Sequence, residues 1–103
     1  MIYVFVCRDA ANSRELRALY RDQHLAFIET VMDQVAVAGP CLPPGTDDAK
    51  AAQASILAYH ADSQKQAEAL FQQDPYFNNG IWESYEVFAL KPVVGTWIGG
   101  KTW

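Results

Sequence analysis

Apolar residues recur along this chain in two alternating periods, of about two residues and of three to four, and that alternation sets the expected order of elements. Residues 2–7, Ile-Tyr-Val-Phe-Val-Cys, form a continuous β-prone run and predict a first strand. Asn12 stands three residues before Glu15, the spacing of a capping box, so a helix is expected from Ser13. At 100° per residue, Leu16, Tyr20, Phe27 and Val31 fall within about 60° of one another with Leu19 beside them, which predicts a long amphipathic helix reaching about residue 33. Residues 35–40 read as a short strand stopped by Gly39-Pro40, and residues 42–48 carry turn chemistry without periodicity, as a mobile surface loop would.

The pattern then repeats. Residues 55–59 predict a third strand, Asp62-Ser63 followed by Gln66 is a second capping signal, and Ala67, Leu70 and Phe71 mark the buried face of a second helix. Asp74-Pro75 should end that helix and cap a short turn closing at Gly80. A fourth strand is expected over about residues 81–90, closed by Pro92. The order is βαββαβ with a tail. Two right-handed crossovers place both helices on one face of an antiparallel sheet and leave the other face bare. The first strand is apolar on both sides, Tyr3 and Phe5 against Ile2, Val4 and Val6, so a homodimer packed through its sheet faces is expected.

Composition narrows the function. The 103 residues suit one domain, half are hydrophobic, and the net charge is −4 without any Lys/Arg-rich run. That balance removes the driving force for nucleic-acid or anionic-membrane binding, and the apolar N-terminus is too short for a membrane span. Cys7 and Cys41 suggest free thiols in a reducing cytoplasm rather than a disulfide scaffold. Cys7, Cys41, His24 and His60 show no metal-ligand spacing, and there is no Gly-rich phosphate loop, so no metal and no cofactor is expected.

Candidate chemistry gathers on the first helix. On the wheel that starts at Leu16, His24 lies at about 80°, Arg17 at about 100° and Arg21 at about 140°, so an imidazole and two guanidinium groups share one flank of the apolar stripe. Such a cluster calls for an answering anion, either a solvated helix flank's counterions or an anionic ligand at the mouth of a cleft. Asp74 is explained by helix capping alone unless the fold brings it to His24, fifty residues away in sequence. Ser13 and Ser55 carry hydroxyls without a nucleophile motif, and Trp82, Trp97 and Trp103 read as core, edge and tail aromatics, any of which could stack on a ring-shaped ligand.

The series Ser13, Arg17, Arg21, His24-Leu25, then Ala38-Gly39-Pro40, then Asp74-Pro75-Tyr76 ahead of Gly80, resembles the YciI-like family over residues 1 to about 92. The resemblance implies a ferredoxin-like α+β fold with an antiparallel sheet, a dimeric α+β barrel, and a site built on His24 and Asp74. Arg17, Arg21, Ser13 and Ser55 are the matching candidates for substrate binding. Ala54-Ser55 stands where the family commonly has Gly-Ser, and Asp22-Gln23 where Pro-Ala often precedes the histidine. Residues 93–103 extend beyond the matched domain, and residues 93–98 are expected to add an edge strand. Two functions follow from the resemblance. The first is a small cofactor-free enzyme of lyase or isomerase type, acting on a small anionic or aromatic metabolite through a His-Asp dyad, since the family includes halide elimination from chlorinated aromatic-ring intermediates. The second is a noncatalytic small-ligand-binding or accessory dimer of the same fold.

Overall fold

The computed structural model describes residues 1–102; Trp103, expected as a tail aromatic, lies outside the described residues. Strand β1 (Ile2–Asp9) leads into helix α1 (Ser13–Thr30), followed by β2 (Val35–Cys41), β3 (Ala54–His60), α2 (Gln64–Phe71), the short α3 (Pro75–Asn78) and β4 (Trp82–Leu90). The four strands are antiparallel in the order β2-β3-β1-β4, so β1 and β3 are central and each long crossover passes over a neighbouring strand. This is the βαββαβ order expected from the periods, in the ferredoxin-like α+β arrangement that the resemblance implies. Pro40, which cannot donate to a ladder, sits on the edge strand β2.

Side-chain alternation sorts the sheet into two faces. Phe5 and Cys7 of β1 and Leu57 and Tyr59 of β3 are buried beneath the helices with Ala67 and Phe71 of α2. Phe71 is the hub of this core. Its ring stacks on Phe5 at 4.3 Å between centroids and on Trp82 at 5.4 Å, and it meets Phe77 and Tyr85 at 5.3 and 4.8 Å. The opposite face presents Ile2, Val4 and Val6 flanked by exposed Ile56, Phe88 and Leu90.

The main sheet contains a bulge with consequences for the site. β1 and β4 pair in step from Ile2↔Leu90 to Arg8↔Ser84, then slip so that Asp9 faces Trp82. Unbroken alternation would set Glu83 opposite Asp9 on the helix side, two carboxylates together. The extra residue leaves Glu83 exposed and turns Trp82 inward.

Three expectations are corrected. Asn12 precedes α1 as predicted but makes no side-chain capping bond, since its backbone (φ −99°, ψ 20°) is not the extended one that aims a cap at the first turn. The helix also stops at Thr30, where the Val31 N–H bonds to the Ile28 carbonyl and tightens the chain into a 3₁₀ turn at Met32–Gln34. Finally, among the described residues the tail adds no strand to the main sheet: β5 (Val94–Gly95) pairs with β6 (Gly100–Lys101) in a separate hairpin around a 3₁₀ turn at Thr96–Ile98. Gly95 (φ 137°) and Gly99 (φ 81°) turn the backbone back where an edge strand would need it extended. By contrast, the second capping signal is realised, with Ser63 Oγ accepting from the Gln66 N–H at 3.1 Å.

A chain of this mass is expected to expose roughly 5,800 Å² when folded as a compact monomer. This one exposes 6788 Å², and its radius of gyration is 14.1 Å against about 13 Å for a compact domain of this length. The excess accords with the bare sheet face and the projecting hairpin, where Trp97 is 84% exposed. Because Phe71 joins both helix-side layers, Phe71→Ala should cost about 3–5 kcal/mol, read as a lower urea midpoint at unchanged slope. A loss below about 1 kcal/mol would show that Phe71 is not the hub.

Candidate active site

Asp74 is the N-cap of α3. Its Oδ1 accepts the Tyr76 N–H at 2.8 Å, and Pro75 occupies the first helical position, where a missing N–H costs nothing. The same Oδ1 lies 2.7 Å from Nδ1 of His24 on α1. Asp74 is fully buried behind the imidazole, while His24 lines an open cleft of about 190 Å³ between α1 and the sheet. With Nδ1 committed to the carboxylate, Nε2 is the ring nitrogen left for a ligand. Tyr76 fixes the ring from one side, stacked parallel to it at 4.0 Å and 2°.

Arg17 enters the same cleft but is already partnered. Its Nε and one Nη hold both oxygens of Asp9 at 2.9 Å, and that Nη also reaches Ser55 Oγ at 2.9 Å. The guanidinium lies 5.3 Å from the Tyr76 ring centre, and the Tyr76 hydroxyl donates to the Arg17 carbonyl at 3.5 Å. The anion answering the basic flank is therefore the protein's own Asp9. Apolar walls come from Leu25, Ile28, Ala38, Pro40, Leu57 and Trp82.

Of the residues singled out from sequence, His24, Asp74, Arg17 and Ser55 are thus brought together. Arg21 and Ser13 are not among the residues lining the cleft. Arg21 is exposed, and Ser13 is buried at the first turn of α1 with its N–H on the Ala10 carbonyl. At the sequence level Asp9 had no role, Tyr76 entered only within the matching Asp74-Pro75-Tyr76 series, and Trp82 was read as a core aromatic. Tyr76 was findable, two residues beyond a cap that positions whatever follows it, and Asp9 follows the period of β1, whereas the inward turn of Trp82 depends on a bulge that has no sequence signal. His60 is exposed at the end of β3. No group of three or more His, Cys, Asp or Glu side chains that could hold a metal converges among the described residues.

The buried surroundings are electrostatically consistent with this site. Burial, reinforced by the Asp74 and Asp9 carboxylates, pushes the Cys7 thiol up to about 12, and burial with Asp74 raises the Tyr59 phenol. Burial also raises Tyr76, against the opposing charges of Arg17 and Arg21.

Residues 1–91 match the YCII-related domain. The chain belongs to this family. It is 32% identical over 97 residues to Protein YciI of Escherichia coli O6:H1 and, equally, of Shigella flexneri, covering 90% of this chain and 99% of each relative. Among solved structures it superposes with a TM-score of 0.81 on 5-chloro-2-hydroxyhydroquinone dehydrochlorinase (TftG) from Burkholderia phenoliruptrix AC1100, in complex with 2,5-dihydroxybenzoquinone. That match is 27% identical and covers 93% of this chain and 97% of the dehydrochlorinase. Family and neighbour together support a small enzyme or ligand-binding fold. No helix among the described residues is long and apolar enough to cross a membrane.

The raised Cys7 thiol gives a pH dependence of definite sign. Unfolded, it loses its proton near 9.0; folded, it holds the proton to about 12. The folded state then binds more protons, so stability present below pH 9 should be lost progressively as pH rises toward 12. Denaturant titrations of wild type and Cys7→Ala across that window test this, and equal slopes for the two proteins would remove Cys7 as a source.

Proposed function

We propose that this protein is a small cofactor-independent enzyme of lyase or isomerase type, in which His24 moves a proton on a small oxygen-bearing anionic or aromatic metabolite and Asp74 orients the imidazole. The observation that carries this reading is the 2.7 Å contact between His24 Nδ1 and a fully buried Asp74, set behind a ring that lines an open cleft. A carboxylate there holds the tautomer that presents Nε2 as an acceptor and offsets the charge the ring gains on taking up a proton. Arg17 and Ser55, which line the same cleft as His24, are the polar contacts we assign to substrate. In the lyase form, acting on a keto tautomer whose halogen-bearing ring carbon is sp³, Nε2 takes the proton from the adjacent ring carbon while the halide leaves as the anion; the electron pair of the broken C–H bond becomes the new ring double bond and the proton stays on Nε2. The neighbour's dehydrochlorinase activity supports this class, and a cleft of about 190 Å³ suits a single ring.

A ligand-binding dimer without turnover is the second reading. The observation favouring it is the Asp9 carboxylate already seated on Arg17, with which an incoming anion must compete. In either case we take residues 1–92 as the functional unit and residues 93–103 as an extension. We place the chain in the cytoplasm, where its two free thiols would persist. We also infer a homodimer through the open sheet face, from the exposed Ile56, Phe88 and Leu90 around the apolar side of β1 and from the excess of exposed surface.

Halide release from chlorinated hydroxyquinols, with 2,5-dihydroxybenzoquinone binding followed in parallel, separates the two readings. Asp74→Asn should keep the α3 cap, because Asn caps nearly as well, yet lower kcat by roughly 10²–10⁴, with His24→Gln at least as severe. Quinone binding without turnover selects the second reading, and undiminished turnover in either variant sinks the dyad. For assembly, sedimentation velocity at micromolar concentration should give a dimer that Phe88→Glu dissociates. A wild-type monomer would dismiss the sheet-to-sheet interface.

A further inference from the structure

Three buried side-chain polar atoms have no hydrogen-bond partner among the described residues: the Tyr59 hydroxyl, Asp74 Oδ2 and Trp82 Nε1. Only Trp82 belongs to a residue that lines the cleft. It is 8% exposed, and its indole is fixed from two directions, stacked on Phe71 at 12° and set edge-on to Tyr76 at 5.8 Å and 86°. Packing alone holds this ring. A buried N–H without an acceptor is costly, and a ring so placed could have been a phenylalanine at no such cost.

The bulge at Arg8/Asp9 adds an independent argument. It turns Trp82 inward where regular pairing would place Glu83, and re-aiming a side chain is what a bulge beside a site accomplishes. Among the other cleft donors, Arg17 Nε and one Nη are already held by Asp9 and Ser55, and the Tyr76 hydroxyl by a backbone carbonyl.

We infer that Trp82 is a specificity-determining residue whose indole N–H donates a hydrogen bond to an oxygen of the bound ligand. This deepens the proposed function and rests on it. It restricts the substrate class to rings carrying a hydroxyl, oxo or phenolate oxygen that reaches Trp82 while a second position meets His24. A compound of the same shape lacking that oxygen would leave the donor buried and unmet, which is how a polar site rejects an analogue.

The test follows the Trp82 indole N–H and the His24 ring signals by NMR during titration with 2,5-dihydroxybenzoquinone. Both should shift and saturate with one dissociation constant, and Trp82→Phe, which keeps the stacked ring and loses the donor, should weaken binding roughly tenfold while the His24 shift at saturation is retained. If His24 responds and the Trp82 N–H does not, or if Trp82→Phe binds as tightly as wild type, the inference fails while the cleft reading stands. If neither signal moves, both fail. Should Trp82→Phe not fold, slowed solvent exchange of the wild-type indole proton at saturation supports the bond, and unchanged exchange rejects it.

Discussion

One carboxylate oxygen ties the site to the fold. Oδ1 of Asp74 accepts the N–H that starts α3 and meets the imidazole of α1, so a local capping bond and a contact spanning fifty residues share an atom. A buried carboxylate demands partners, and here each requirement fixes the other. The cap also delivers Tyr76 two residues later, flat against the imidazole and below the Arg17 guanidinium. Capping and dyad geometry are therefore not alternatives for Asp74. Its structural role is the means by which the histidine is held in place.

The order of strands and helices was legible because each element keeps its period over several residues, and the second helix and Asp74 carried explicit capping chemistry. The rotation of α1 was less so. Its apolar stripe, read alone, centres between Leu16 and Val31 with Leu19 beside it, yet Leu19 is 69% exposed while Ile28, at about 120° on the wheel, packs against the core. The buried arc is displaced toward His24 and Arg17. The reason lies outside the helix: Asp9 and Ser55 supply acceptors for the guanidinium at the sheet's end, so a flank that reads as solvated can be turned inward. No periodicity within α1 reports acceptors on β1 and β3.

The bulge was equally hidden. Counting back by twos from Tyr85 places Glu83 on the helix side, and only the slipped pairing Asp9↔Trp82 reverses it. Since strand faces alternate every residue, one inserted residue exchanges which side chain faces inward. Here that exchange keeps a carboxylate away from Asp9, leaving Asp9 free to take both contacts of Arg17, and puts an aromatic side chain in the lining of the cleft.

A single strand thus serves two surfaces. Tyr3, Phe5, Cys7 and Asp9 of β1 face the helices and end at the arginine of the cleft, whereas Ile2, Val4 and Val6 face the open side beside Phe88 and Leu90. The two sets are interleaved in sequence but separated by the thickness of the sheet. Charge added at Val4 would meet the apolar face without touching the Arg17 pair, and a neutral residue at Asp9 would free that guanidinium without altering the apolar face. The open apolar face and the cleft can therefore be altered independently within eight consecutive residues, because period two keeps them apart.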